Sequence, residues 1–181
     1  MIFVSVGTHQ LGFNRLLTVV DTLIEERTIV EPVIAQIGYS TYRPQSYEAF
    51  NFCDEQTFER LVRESHYVIS HAGSAVINTV LQHRKRIIVV PRMPKIDKWM
   101  DEHQLDTARE YQRQGRILCA LDQKELQRAI ENVSRFTPKF TRQECSVPTL
   151  LQTYLEKTFR GDPGSLTTSL RNSRIESEKE N

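Results

Sequence analysis

The sequence is poor in the residues that define several classes of protein. Its 3 cysteines among 181 residues are an odd number without CxxC spacing, which excludes a disulfide framework and a CxxC zinc site. No apolar run approaches the roughly 20 residues that cross a bilayer. The N-terminus has neither the basic region nor the long apolar region of a secretory signal. We therefore expect a cytoplasmic protein whose membrane contacts are peripheral or made through a partner.

An excess of charge of either sign is also missing. The chain carries 24 Lys and Arg against 23 Asp and Glu, a net charge of +1. This balance lacks the electrostatic footprint of a nucleic-acid-binding protein, so nucleic acid is not expected as a partner. A length of 181 residues corresponds to one domain. We place that domain at residues 1–160, because residues 161–181 are polar and predict a disordered tail.

Motifs of several enzyme classes are absent as well. Segment 7–12 follows the first predicted strand without the GxGxxG spacing of dinucleotide-binding enzymes. No Walker loop occurs, and no GxSxG elbow of an α/β-hydrolase. No HxH, HExxH or Asp-x-Asp pair is present, so we expect neither a bound metal nor a cofactor.

Strand-like and helix-like segments alternate along the chain. Short apolar runs predict strands at 2–6, 33–37, 48–53, 67–69, 87–90 and 117–121. Apolar spacing and capping residues predict helices at 13–24, at 54–64, from 74 or 75, at 101–115, at 122–133 and at 149–159. This alternation indicates an α/β fold with a doubly wound, mostly parallel, Rossmann-like sheet.

Three loops that follow predicted strands carry polar groups, at 7–12, 71–75 and 91–104. Ligands of doubly wound sheets bind at the carboxyl ends of the strands. In the second loop, His71, Gly73 and Ser74 lie between an apolar strand and the start of a helix. The unpaired N–H groups and the positive dipole end of that helix form an anion site. The same residues are equally compatible with an ordinary tight turn in which His71 is structural.

Four short motifs occur in one order along the chain. They are VGTHQ with FNRL at 6–10 and 13–16, ISHAG at 69–73, VVPR at 89–92 and DEHQ at 101–104. Together they resemble the donor-binding, C-terminal domain of the family that includes the peptidoglycan N-acetylglucosamine transferase. Within that family the chain is most similar to the small catalytic subunits of two-chain bacterial exopolysaccharide and capsule glycosyltransferases.

The resemblance implies one half of a two-domain enzyme. This half would be the donor-binding and catalytic subunit of an inverting, metal-independent UDP-sugar hexosyltransferase in cell-surface polysaccharide biosynthesis. A helix N-terminus with nearby basic groups would replace the metal that neutralises a leaving diphosphate. A separate, membrane-associated subunit would hold the lipid-linked saccharide acceptor and would keep this chain at the inner face of the membrane.

The resemblance also assigns roles to particular residues. Residues 7–8 would bring the backbone close to the donor, 71–74 would contact the diphosphate, 91–92 would shape the uracil and phosphate side, and 101–104 would contact sugar hydroxyls. The implied donor-binding residues are Gly7, Thr8, His71, Gly73, Ser74, Arg92, Asp101, His103 and Gln104. His9 would be the general base. Two alternatives are that His9 caps the first helix and that the partner subunit supplies the base.

Two positions depart from the pattern of the family. Ala75 stands where a second glycine usually follows His-Ala-Gly, and Thr79 stands where a glutamate usually binds the ribose. Loss of a bidentate ribose contact would cost roughly 1–3 kcal/mol, or about 5- to 150-fold in donor affinity. These departures favour a second hypothesis, a non-catalytic accessory subunit that stabilises a partner glycosyltransferase. Because fold alone does not fix function, a third hypothesis is a different nucleotide-binding enzyme of the same fold.

Overall fold

A parallel sheet forms the centre of the computed structural model, which describes residues 1–97 and 103–140. Its strands within these residues are β1 (Ile2–Ser5), β2 (Val33–Gln36), β3 (Glu48–Phe50), β4 (Tyr67–Ser70), β5 (Arg86–Val89) and β6 (Leu118–Cys119). They lie in the order β3-β2-β1-β4-β5-β6, and every neighbouring pair is parallel. The predicted doubly wound, Rossmann-like fold is therefore confirmed. The order reverses between β1 and β4, which is where such sheets bind ligands.

Helices pack on both faces of the sheet and connect its successive strands, except for β2 and β3, which are joined by residues 37–47 without a helix. They are α1 (Asn14–Glu25), α2 (Glu55–Glu64), α3 (Ser74–Gln82), α4 (Pro94–Asp97), α5 (His103–Arg113) and α6 (Gln123–Val133). Asp54 and Asp122 cap α2 and α6, because each carboxylate accepts a hydrogen bond from the backbone N–H three residues later. None of the helices in the described part of the chain has the length and apolar character needed to span a bilayer.

The strands at the centre are buried on both faces, which separates the core into two layers. Val4 and Ile69 pack with apolar residues of α1 and α6 on one side. Phe3 and Val68 pack with α2, α3 and α5 on the other. Alternation along β1 and β4 therefore sends successive side chains to opposite layers. Residues 1–140 form one compact unit.

The loop predicted at 91–104 contains a short helix, α4. Its residue Asp97 accepts a hydrogen bond from Met93 N–H at 2.7 Å and forms an ion pair with Arg15 at 2.8 Å. Arg15 also donates to the carbonyls of Pro91 and Leu121. The sequence did not predict α4 because these anchoring contacts come from residues far away along the chain. Residues 98–102, including Asp101, lie outside the described residues.

Buried acceptors on α1 hold the polar segment 39–47, which lies between β2 and β3. The carboxylate of Asp21 is 3% exposed and accepts hydrogen bonds from Tyr42 Oη and from the N–H groups of Gln45 and Ser46. This anchoring keeps the loop beside the carboxyl end of β2. The helix predicted at 149–159, the predicted tail and the domain boundary predicted at 160 all fall outside the described residues and stay predictions.

Candidate functional site

A cavity of about 350 Å³ opens at the carboxyl edge of the sheet, at the switch point between β1 and β4. This size is typical of small-molecule sites. Its lining comes from the ends of β1 and β2, from the turn after β4, and from the first turns of α2 and α3. The residues are Ser5, Gly7, Thr8, Gln36, Cys53, Asp54, Glu55, Phe58, Glu59, His71, Gly73, Ala75, Val76 and Thr79.

The imidazole of His71 lies between two glycines at the base of this cavity. A Cβ atom on Gly7 would lie 2.5 Å from Cε1 of His71, and a Cβ on Gly73 would lie 2.4 Å from Nε2. Gly7 also has φ +76°, a conformation that other residues rarely adopt. Glycine therefore fits on both sides of the ring where a Cβ would not, which accounts for the glycines of the VGTHQ and ISHAG motifs.

The hydrogen bonds of His71 indicate which ring nitrogen carries the proton. Nδ1 lies 3.5 Å from the carbonyl oxygen of Ser5 and 3.3 Å from Oγ of Ser70. Because Ser70 Oγ donates its own proton to Ser5 O at 2.7 Å, Nδ1–H is the donor toward both oxygens. The neutral ring then presents the Nε2 lone pair on the edge that faces Gly7 and Gly73.

Burial lowers the pKa of His71 to about 4, and the nearby positive charge of Arg92 acts in the same direction. An ordinary histidine in the unfolded chain has a pKa of about 6.5. His71 is therefore neutral at pH 7 in the free protein.

This pKa predicts an acid-sensitive stability. Between about pH 6.5 and pH 4 the unfolded chain binds a proton that folded His71 does not, so the free energy of unfolding falls as the pH falls. The loss from this group is at most about 3 kcal/mol. Urea unfolding at pH 7.5, 6, 5 and 4 measures it, and a His71→Gln variant should lose that part of the slope. If the His71→Gln variant keeps the pH dependence of the wild-type free energy of unfolding, the low pKa of His71 is contradicted. The control is His103→Gln, at an exposed position.

The N-terminus of α3 borders the cavity beside His71. Its N-cap is Gly73, which offers no side-chain hydrogen bond, in contrast to the aspartates that cap α2 and α6. Ser74 and Ala75 are exposed in the first turn. The backbone N–H groups of that turn and the positive end of the helix dipole are consequently available to bind an anion. His71, Gly73 and Ser74 are thus brought together as the sequence predicted, although their contact with a donor stays a prediction.

Arg92 lies inside the domain, and it does not line the cavity. Its side chain is 1% exposed, and Nε and Nη2 donate to the carbonyls of Gly12 and Val6 at 3.1 and 2.8 Å. The guanidinium also lies 4.8 Å from the ring centroid of Phe13. Burial lowers its pKa to about 10, so it remains charged at pH 7. Arg92 is placed to hold both ends of the loop after β1.

Gln104 supports Arg92 from α5. Its side chain is 7% exposed, and Oε1 accepts a hydrogen bond from the backbone N–H of Arg92 at 3.1 Å. His103, the neighbouring residue, is exposed. The structure therefore separates the members of the DEHQ motif, since Gln104 points inward while His103 faces solvent.

His9 and Thr8 lie in the exposed loop after β1, and Thr8 reaches the cavity. Nδ1 of His9 accepts a hydrogen bond from Leu11 N–H at 3.2 Å, so the proton of the neutral ring is on Nε2. In this arrangement Nε2 is a donor, which does not suit a general base. His9 does not cap α1 either, because the N-cap of α1 is Phe13, without a side-chain cap.

Sequence reasoning missed the contribution of α2. Glu55, Phe58 and Glu59 line the cavity opposite α3. A signal for them existed, because the Asp54 cap directly follows a predicted strand and so places the first turns of α2 at the carboxyl edge. No cluster of three or more His, Cys, Asp or Glu side chains suited to a metal ion occurs among residues 1–97 and 103–140.

An open parallel sheet with a cavity at its switch point, beside a helix N-terminus without a side-chain cap, defines a Rossmann-like domain with a candidate anion site. Residues 1–157 match the model of the glycosyltransferase family 28 C-terminal domain. The chain belongs to this family. The resemblance read from the four motifs is thereby confirmed for the family, while the branch of the family stays a prediction.

Solved structures agree with this fold. The crystal structure of the glycotransferase of kitacinnamycin is 16% identical with a TM-score of 0.53, and that of CalG4, the calicheamicin glycosyltransferase, is 14% identical with a TM-score of 0.52. Both matches cover 74% of this chain and 34% of the other, so the chain spans about a third of their length. The solution structure of ALG13 is 19% identical with a TM-score of 0.53, covering 84% of this chain and 93% of ALG13. No curated protein sequence gives a significant match.

Proposed function

We propose that the chain is the donor-binding subunit of an inverting, metal-independent UDP-sugar glycosyltransferase. The observation that carries this proposal is the cavity at the switch point, bounded by His71, Gly73 and the start of α3 in a member of family 28. A nucleotide diphosphate there would lie against the first-turn N–H groups of α3. Its nucleoside would extend along the cavity between α2 and α3.

The leaving group of the transfer is the nucleoside diphosphate, whose negative charge grows as the bond to the sugar breaks. Backbone N–H groups at Ser74 and Ala75 are fixed donors for that charge, so they stabilise the transition state more than the ground state. Proton uptake by His71 would add a positive charge beside the diphosphate, because an anion raises the pKa that burial holds near 4. His9 would contribute a hydrogen bond from Nε2–H.

A second subunit completes this enzyme in our proposal. One Rossmann-like domain forms one wall of an interdomain cleft, and the chain spans about a third of the length of two of the enzymes it resembles in fold. The partner would be membrane-associated, would bind a lipid-linked saccharide, and would supply the general base that His9 is poorly placed to provide. The reaction would serve cell-surface polysaccharide synthesis at the inner face of the membrane.

Calorimetric titration of the purified chain tests the donor site. We expect UDP to bind at least tenfold more tightly than uridine, because most of the binding energy comes from the phosphates at α3. ADP should bind more weakly than UDP. Equal affinity for uridine and UDP contradicts the phosphate site, and a preference for ADP favours a different nucleotide-binding enzyme.

An accessory, non-catalytic role is the second candidate, and Thr79 is the observation that favours it. Thr79 has no carboxylate to offer a ribose. Its hydroxyl donates its proton to Ala75 O at 3.0 Å within α3. An accessory subunit would tolerate loss of the site. The double variant His9→Ala, His71→Ala would then leave the activity of the assembled pair unchanged, whereas a catalytic subunit would lose activity.

A further inference from the structure

We propose that Glu59, on α2, supplies the carboxylate that binds the ribose hydroxyls of the donor. This inference rests on the proposed function, since it concerns the nucleoside end of the same cavity. It assigns the ribose contact to α2, on the opposite wall of the cavity from Thr79.

Glu59 reaches the side of α3 on which residue 79 lies. Its Oε2 is 3.8 Å from Nε2 of His83, which caps the C-terminus of α3. His83 is one helical turn beyond Thr79, and its N–H donates to Thr79 O at 3.2 Å. Residues four apart share one face of a helix. Glu59 and Thr79 both line the cavity, so side chains at these two positions can reach one ligand from opposite walls.

The distances along α3 fit a nucleoside diphosphate in one orientation. Ser74 and Thr79 are five residues apart, which corresponds to about 7.5 Å along the helix axis. This is comparable to the separation between the diphosphate and the ribose hydroxyls of one nucleotide. The phosphates would lie at the N-terminal end of α3. The two uncharged ribose hydroxyls would lie further along α3, near Thr79 and Glu59. A carboxylate repels phosphate, so it also fixes this direction.

Glu59 also retains capacity to accept hydrogen bonds. The 3.8 Å contact with His83 is longer than a hydrogen bond, and the side chain is 38% exposed. Asp54, in contrast, uses its carboxylate to cap α2 through Thr57 N–H at 2.7 Å. A carboxylate can accept both hydroxyls of a vicinal diol, and such charge-assisted bonds are stronger than neutral ones. Of these two carboxylates of the cavity, Glu59 is therefore the one with acceptor capacity left for a ribose.

The test compares the affinities of UDP, 2′-deoxy-UDP and inorganic pyrophosphate for the wild type and for Glu59→Gln. The wild type should prefer UDP over 2′-deoxy-UDP by about tenfold. Glu59→Gln should lower UDP affinity by about tenfold or more, reduce the preference to about twofold, and leave pyrophosphate affinity unchanged. Glu64→Gln, at the exposed end of the same helix, is the matched control and should behave as the wild type.

A second variant separates a ribose contact from a change in local structure. Adding Thr79→Glu to Glu59→Gln should restore the preference for UDP, because the carboxylate returns from the other wall. If the wild type binds UDP but Glu59→Gln keeps its affinity and its preference, the inference about Glu59 is wrong and the donor site stands. If the wild type does not bind UDP at all, the proposed function itself fails.

Discussion

Replacing Gly73 by alanine is expected to weaken donor binding severely while the domain stays folded. The added Cβ would lie 2.4 Å from Nε2 of His71, closer than real Cβ contacts allow. Gly73 has φ −80° and ψ 118°, a backbone that alanine adopts without strain. The effect therefore comes only from the displaced imidazole and the altered start of α3. We expect UDP affinity to fall by about 100-fold or more and stability to fall by about 1–3 kcal/mol.

A control for Gly73 exists at Gly115, which follows the C-terminal end of α5 and does not line the cavity. Gly115 has φ +68°, so alanine there is strained, yet its Cβ would meet only the flexible side chain of Lys139 at 3.2 Å. Gly115→Ala should lower stability by about 1 kcal/mol and leave UDP affinity unchanged. Calorimetric titration with UDP measures the affinity of both variants, and thermal unfolding measures their stability. A Gly73→Ala protein that binds UDP as the wild type does would show that the His71 edge is not part of the donor site.

Replacing Arg92 by alanine is expected to produce the largest loss of stability. The side chain is 1% exposed and donates to the carbonyls of Val6 and Gly12, which flank the loop that carries Thr8. Alanine would leave both buried acceptors without this donor and would remove the packing against Phe13. Each unpaired acceptor costs about 1–3 kcal/mol, and the lost volume adds to that cost. We expect a total of about 3–5 kcal/mol.

Urea unfolding measures this loss, and Arg60→Ala provides the comparison. Arg60 is 56% exposed and pairs with Glu64 on the surface of α2 at 3.4 Å, so its removal should cost less than about 0.5 kcal/mol. UDP affinity should also fall in Arg92→Ala, because the loop after β1 forms part of the cavity wall. An unfolding free energy within about 1 kcal/mol of the wild type would contradict the positioning role of Arg92.

The local pattern of the sequence was sufficient to predict the fold, and it directed attention to the edge of the sheet where the structure has a cavity. Apolar runs and the Asp54 and Asp122 caps carry their structural information within a few neighbouring residues. The direction in which Arg92 points depends on carbonyls that lie 80 and 86 residues earlier in the chain, so its burial could not be predicted. The same limit applies to α4, which Arg15 anchors from 82 residues away.

The residues of α2 illustrate a different limit. Glu59 is an ordinary polar residue in an amphipathic helix, and nothing in its spacing distinguishes it from the solvent-facing Glu64. Only the position of α2 across from α3 brings the Glu59 carboxylate to the cavity. Motif comparison directs attention to position 79 and therefore does not reveal a carboxylate that comes from another helix.

The central claim is that a nucleotide diphosphate binds at the start of α3. A titration of isotopically labelled chain with UDP, followed through its backbone amide resonances, tests this claim directly. The account predicts the largest shifts at Gly73, Ser74, Ala75 and Val76, smaller ones at Gly7 and Thr8, and almost none at Arg84, Lys85 and Arg86 on the opposite edge of the sheet. Shifts concentrated at that opposite edge, with the amides of residues 73–76 unchanged by saturating UDP, would contradict it.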